Sequence, residues 1–396
     1  MSKVVYMDNN ATTRVAPEVV EAMMPYLTEF YGNPSSMHSF GGQVAHAVEN
    51  ARRQVARLLG AQPTEIVFTS CGSESDNAAI RGSLQANRDK HHIITTRVEH
   101  PAVRNLCQTL AKQGYSLTEL SVDSEGVLDV DELREAIRPD TALISVMYAN
   151  NETGVIFPIE EIGHIAREHG VPFHCDAVQA GGRIPIDLSS LPVDFLSISG
   201  HKLHAPKGIG VLYIRRGTRF VPWLVGGHQE RGRRGGTEAV PNIVALGRAC
   251  ELAQQHIEEE NTAVKAMRDR LEKGLLADAP DSRRNGHTRS RLPNTTNISF
   301  QYIEGEAILL LLNERRICAS SGSACTSGSL EPSHVMRAMG VPFTAAHGSI
   351  RFSLSRYNRE EDVDHVLREL PPIIERLRKI SPYGKAEKSP RIQAKR

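Results

Sequence analysis

The sequence is short of most features that would assign it to a special class. It has one tryptophan in 396 residues and an aromatic content of 5%. No apolar run approaches the roughly 18 to 20 residues that span a bilayer, and the opening MSKVVYMDNN is too polar for a signal peptide. A cytoplasmic protein is expected. The six cysteines (Cys71, Cys107, Cys175, Cys250, Cys318, Cys325) form no C-x-x-C pair and no zinc-ligand spacing. Special cysteine chemistry should therefore rest on one residue and not on a disulfide framework. There is no excess of either charge: 47 Lys and Arg face 46 Asp and Glu, which argues against a generic nucleic-acid binder. The balance is uneven along the chain, because the last thirteen residues carry +4 and the remaining 383 carry −3.

What is present is an ordinary globular composition, 40% apolar, in a chain long enough for two domains. Between about residues 17 and 215, short apolar runs alternate with helix-length segments: EIVFTS, HIITT, YSLTEL, ALISVMY, PFHCD, DFLSIS and GVLYIRR. Such alternation predicts an α/β fold with a mainly parallel sheet covered by helices on both faces. Residues 43–59 put Val44, Val48, Ala51, Val55, Leu58 and Leu59 on one helical stripe, with Gly60 as the stop. From Pro241 to Pro280, apolar residues at three- and four-residue spacing predict a long connecting helix. A polar, Arg-rich insert at 281–291 follows, and the elements after it read as a smaller α+β domain. The expected division is a large domain at 16–257, a small one from 1–15 plus 258–383, and a basic disordered tail at 384–396.

Three segments carry chemistry. The strand EIVFTS runs into Cys71-Gly72-Ser73-Glu74-Ser75 and then a helix, so hydroxyls and free N–H groups gather at a helix N-terminus where an anion binds. The spacing matches neither G-x-G-x-x-G nor G-x-x-x-x-G-K-[ST], which disfavours dinucleotides and nucleoside triphosphates. Further on, FHCDAVQA ends a strand at Asp176, and FLSISGHKLHAPKG ends another at Ser199-Gly200-His201-Lys202. Both the acid and the lysine sit at carboxyl ends of sheet strands, where open α/β folds bind ligands. Read singly, each is a structural acid or a solvated lysine. Read together with the upstream anion loop, an Asp to hold a pyridinium nitrogen and a Lys to form a Schiff base describe a pyridoxal 5'-phosphate site.

At these residues the sequence resembles the NifS-type cysteine desulfurases of the class-V aminotransferase family, fold-type I pyridoxal-phosphate enzymes. The segments carrying the resemblance cover nearly the whole chain: DNNATTRVAPEVV, YGNPSSMHSFG, FTSCGSESD, TTRVEHPAV, YANNETGVIFPIEE, HCDAVQAGG, SGHKLHAPKG, GGHQERGRRGGTEAV, EGEAILLLLN, SSGSACTSGSLEPSHVMRAMG and SIRFSLSRY. The resemblance implies that Lys202, in preference to Lys207, forms the Schiff base and moves protons at the substrate Cα. It implies that Asp176 partners the pyridinium and Gln179 the ring hydroxyl. Gly72, Ser73, Ser199, Gly200 and His201 hold the phosphate. His100 stacks on the ring and acts as acid or base near the substrate sulfur, and Asn151 contacts cofactor and substrate. Arg351 takes the substrate carboxylate, which a guanidinium fork matches bidentately. Thr237 reaches the cofactor phosphate of the other subunit, which implies a symmetric homodimer.

Cys325 lies in Ala319–Ser329, a run without charge or large side chains, so it is expected to be mobile. No Lys, Arg or His in the run lowers the thiol pKa from about 8.5, so activation has to come from the site into which it docks, with His100 and Arg351 as the expected sources. The other five cysteines read as core. The resemblance implies conversion of L-cysteine to L-alanine with Cys325 left as a persulfide. The sulfur then passes to an iron–sulfur scaffold protein of the NifU or IscU type, for nitrogenase maturation. A selenocysteine lyase or a general cluster-assembly desulfurase is the alternative. Cys325 would at most be a transient iron–sulfur ligand shared with that scaffold, since no second ligand or cluster spacing is present.

Overall fold

The computed structural model describes residues 4–321 and 332–382. Cys325 and the basic tail lie outside the described residues. Twelve strands are described: β1 (Val5–Tyr6), β2 (Ile66–Thr69), β3 (His92–Thr96), β4 (Ser116–Leu120), β5 (Thr141–Ser145), β6 (Phe173–Asp176), β7 (Phe195–Ser199), β8 (Gly210–Ile214), β9 (Ser282–Arg284), β10 (Thr295–Phe300), β11 (Ile317–Cys318) and β12 (Ser349–Ser353).

Seven of them form one sheet in the order β2-β8-β7-β6-β5-β3-β4. The ladder is parallel from β4 through β7, and β8 is antiparallel to both β7 and β2. Why these runs are so apolar follows from their burial on both faces. Ile93 and Leu143 point to one side, toward Val103, Leu106 and Leu110 of the helix Pro101–Lys112. Their neighbours Ile94 and Ile144 point to the other side, into the core that also holds Val44, Val48 and Val55 of the helix Ser39–Leu59 and Ile243 and Leu246 of the helix Val240–Gln255. The period of two thus feeds two cores from one strand. Gly60 ends Ser39–Leu59 in the left-handed region, φ 63°, as its stop role requires.

A second sheet, β12-β10-β9, is antiparallel, and β1 pairs in parallel with β11. Val5, Met7, Leu271, Phe300, Phe352 and Val366 belong to a separate apolar cluster beside this sheet. Among them Val366 lies on the closing helix, Glu360–Ile380. The residues that follow Pro332 turn back to the first core, where Val335, Met336 and Met339 are buried.

The structure departs from the sequence expectation in two places. The helix expected from Pro241 to Pro280 stops at Gln255, where His256 has φ −103° and ψ 8°, and a π-helical turn at Glu260–Val264 precedes a new helix, Lys265–Asp278. Its apolar spacing is preserved across the break, so periodicity alone could not reveal it. The 281–291 insert is partly sheet: β9 pairs antiparallel with β10, and the charge of Arg291 is met by Glu272, at 2.5 and 2.9 Å. A three-residue polar edge strand carries no alternation to read.

Candidate active site

A cavity of about 370 Å³ opens at the carboxyl ends of β5, β6 and β7, beside the N-terminus of the helix Gly72–Ala86. Ten of the residues singled out in the sequence line it: Gly72, Ser73, His100, Asn151, Asp176, Gln179, Ser199, His201, Lys202 and Arg351. Gly200 is buried directly behind it; a Cβ there would lie 2.6 Å from Ile209 Cγ2, so only glycine fits the turn out of β7. Thr237 is exposed and does not line this chain's cavity. Cys71, read as core, instead lines the cavity as the half-buried N-cap of Gly72–Ala86, because the strand has already ended at Thr69.

The anion end is built from backbone. Cys71 supplies no side-chain cap, so the first-turn N–H groups of a 15-residue helix have no capping side chain. Gly72 packs so closely under Val178 that an added Cβ would sit 2.8 Å from its Cγ2. The Ser199 hydroxyl is buried and has no protein hydrogen-bond partner, and the His201 Nδ1 is 3.2 Å from the Thr12 hydroxyl. Burial and the nearby Lys202 charge push the His201 imidazole down to about 4.

At the ring end, Asp176 closes β6 and its Oδ1 accepts from the Val178 N–H at 2.9 Å. Burial lifts its carboxyl to about 7, and the neighbouring Asp76 adds to the rise. A bound cation would reverse that shift. The Lys202 ammonium donates to the carbonyls of Asn10 (2.5 Å) and Ala11 (2.8 Å). His100 N-caps the helix Pro101–Lys112, and its Nδ1 accepts from the Ala102 N–H at 3.2 Å. That acceptor role leaves the proton on Nε2 in the neutral ring. Burial, with Lys202 next, pushes His100 down to about 4. It is therefore neutral at pH 7, with the Nε2 proton free to donate.

Arg351 is 5% exposed. Its Nη1 donates to the Asn151 carbonyl and its Nη2 to Asp8 Oδ1, both at 2.9 Å, while Nε has no protein partner. Its backbone also pairs with that of Ser320, five positions before Cys325 in the sequence, N–H to carbonyl at 2.7 Å. The Ser333 hydroxyl donates to Glu152, next to Asn151, at 2.5 Å. Sequence reasoning assigned no role to Asn10, Ala11, Asp76 or Arg183. The DNN segment was visible, but its contact with Lys202, nearly two hundred residues away, was not.

A buried carboxyl, a lysine, an uncapped helix N-terminus and an orphaned hydroxyl together fit pyridoxal phosphate by donor set and charge. The fold and this arrangement define a class-V aminotransferase, and residues 5–366 match that family's model, "Aminotransferase class-V". The chain belongs to this family, within its cysteine desulfurases, close to NifS. It is 65% identical over 381 residues to "Cysteine desulfurase 2" of Trichormus variabilis, covering 96% of each chain. It is 60% identical over 380 residues to "Cysteine desulfurase NifS" of Azotobacter vinelandii, covering 96% of this chain and 94% of that one. A solved structure titled "NIFS-LIKE PROTEIN" superposes with a TM-score of 0.89 at 40% identity, covering 95% of this chain and all of that one.

Proposed function

We propose that this chain transfers the sulfur of L-cysteine to Cys325, releasing L-alanine, and passes it on to iron–sulfur cluster assembly. The observation that carries the reading is the convergence of Lys202, Asp176, His100 and Arg351 on one cavity, with the Arg351 backbone paired to Ser320, five positions before Cys325 in the sequence. Gly72, Ser73, Ser199, Gly200 and His201 would hold the phosphate of pyridoxal 5'-phosphate, Asp176 its ring nitrogen and Gln179 its ring hydroxyl. When bound, the cofactor supplies an electron sink for the substrate's Cα.

The chain's own groups do the rest. Arg351 binds the substrate carboxylate, with Asn151 beside it. Lys202 takes the Cα proton. The Cys325 thiolate attacks the substrate sulfur, an S–S bond forms and the Cβ–S bond breaks, with its electron pair left on carbon. His100 handles the proton at sulfur as a neutral imidazole. The net exchange balances without an external oxidant: cysteine plus thiol gives alanine plus persulfide.

The alternative, a selenocysteine lyase, uses the same cofactor but does not need Cys325. The NifS relative supports nitrogenase maturation as the destination of the sulfur, with a scaffold of the NifU or IscU type as acceptor and Cys325 as a transient cluster ligand. The desulfurase name of the Trichormus relative leaves a general assembly role as the second reading. Exposed Leu224 and Val225 on the segment leading to Thr237 support a homodimer in which Thr237 completes the partner's phosphate site. The decisive experiment is Cys325→Ala: the purified protein should stay yellow and lose persulfide formation from cysteine. Sustained sulfur release by that variant would sink the reading, as would borohydride trapping of pyridoxyl on any lysine but Lys202.

A further inference from the structure

Arg183 is 5% exposed and does no work in the mechanism above, yet its guanidinium reaches three residues around the cavity. Nη1 donates to Asn10 Oδ1 and to Gln179 Oε1, each at 2.7 Å, and Nη2 donates to the Asn9 carbonyl at 3.1 Å. Burial pushes Arg183 down to about 10, with Glu260 of the π-helical turn opposing the shift, so it stays charged at neutral pH. Asn261 on the same turn donates to the Arg183 carbonyl at 2.8 Å.

A guanidinium only donates. The Gln179 atom facing it must therefore be the amide oxygen, which turns Nε2 away, toward the Asn10 carbonyl (3.1 Å) and the cavity. The same constraint orients Asn10. Its Oδ1 accepts from Arg183 and from Asn294, so its Nδ2 is left to donate to Thr295 Oγ1 (2.9 Å) and the Asn151 carbonyl (3.2 Å). The Asn10 carbonyl then accepts from both Gln179 and Lys202. One buried cation settles the direction of two amides, and a reversed Gln179 would set N–H against N–H.

We infer that Arg183 is a positioning residue: acting through Gln179 and Asn10, it keeps an amide donor and the Lys202 amine aimed into the cavity. This rests on the reading that the cavity binds pyridoxal phosphate on Lys202. The test uses the holoenzyme and the variants Arg183→Met, Arg183→Lys, Gln179→Ala and the double variant Gln179→Ala/Arg183→Met. The visible band of the lysine-bound cofactor and its pH midpoint are read beside kcat and KM, with near-UV circular dichroism as the check on folding.

Arg183→Met should shift the band or its midpoint and lower kcat on the order of 10- to 100-fold. Arg183→Lys, with the charge but not the fork, should recover part of both. In the Gln179→Ala background, Arg183→Met should move the band less than it does in the wild type, because only the route through Asn10 remains. A folded Arg183→Met with the wild-type band, midpoint and kcat overturns the inference, and so do shifts that add independently of Gln179. If the methionine variant does not fold, Arg183→Lys alone and with Gln179→Ala gives the same comparison. Borohydride that leaves Lys202 unmodified in the wild type overturns the functional reading as well, whereas a normal wild-type band with a silent Arg183 variant overturns this inference alone.

Discussion

His100 shows how one side chain acquires a role from its surroundings. Its Nδ1 is committed to the Ala102 N–H, and burial beside Lys202 keeps the ring neutral. An NMR titration of the cofactor-free protein should place its midpoint near 4 instead of the usual 6.5 or so, and Lys202→Ala should raise it, because a nearby positive charge is removed. A midpoint near 6.5 would contradict this. Asp176 shifts the other way, to about 7. A folded-state pKa raised above the unfolded value means the native protein holds a proton the unfolded chain has lost. The stabilisation is full below about 4 and disappears as pH rises through about 7. In cofactor-free protein, the urea midpoint of the wild type should therefore fall relative to that of Asp176→Asn between about pH 4 and 7 and level off above. A constant difference across that window would contradict it.

At the scale of elements, the site depends on how strands end. The turn from β7 to Lys202 is possible because Gly200 leaves room for Ile209, and Gly200→Ala should cost about 1–3 kcal/mol by overpacking, read from urea unfolding. The loop before Thr237 is held by a buried ion pair. Glu230, at φ 48°, accepts from Arg52 at 2.7 and 2.9 Å and from the Phe68 N–H at 2.9 Å. Arg234 donates to Glu74 in the first turn of the helix Gly72–Ala86 at 2.8 Å. Glu230→Ala would take from Arg52 its buried bidentate carboxylate, leaving it Glu49 and the Ile66 carbonyl, and should cost about 3 kcal/mol. Arg234→Ala, a half-buried pair, should cost less in the same assay. Equal losses would show that burial does not set the difference. Nothing local in the sequence reveals that Glu230, directly before Arg231, turns inward to Arg52.

At the scale of the molecule, the exposed apolar side chains Tyr31, Met37, Leu224 and Val225 have no partner in one chain's core. Scattering should give twice the 43.6 kDa chain mass, and Val225→Asp should shift that toward the monomer while weakening pyridoxal-phosphate retention. A monomeric wild type with full retention would exclude a site shared across subunits.

The sequence alone determined the α/β class and the apolar runs that become the main sheet, because strand burial leaves a local pattern, and its contiguous motifs singled out Lys202, Asp176, His100 and Arg351, which the fold brings to one cavity. Four things were decided only by the tertiary structure. The break at His256 preserves its apolar period, and the edge strand β9 is polar, so neither changes any local signal. The neutrality of His100 arises from desolvation and from Lys202, about a hundred positions on. The meeting of Asn10, Gln179, Arg183 and Lys202 joins segments some 170 to 190 residues apart. Hydrogen bonds at that separation exist only once the sheet brings its strand ends to one side of the molecule, and a linear reading has no physical access to them.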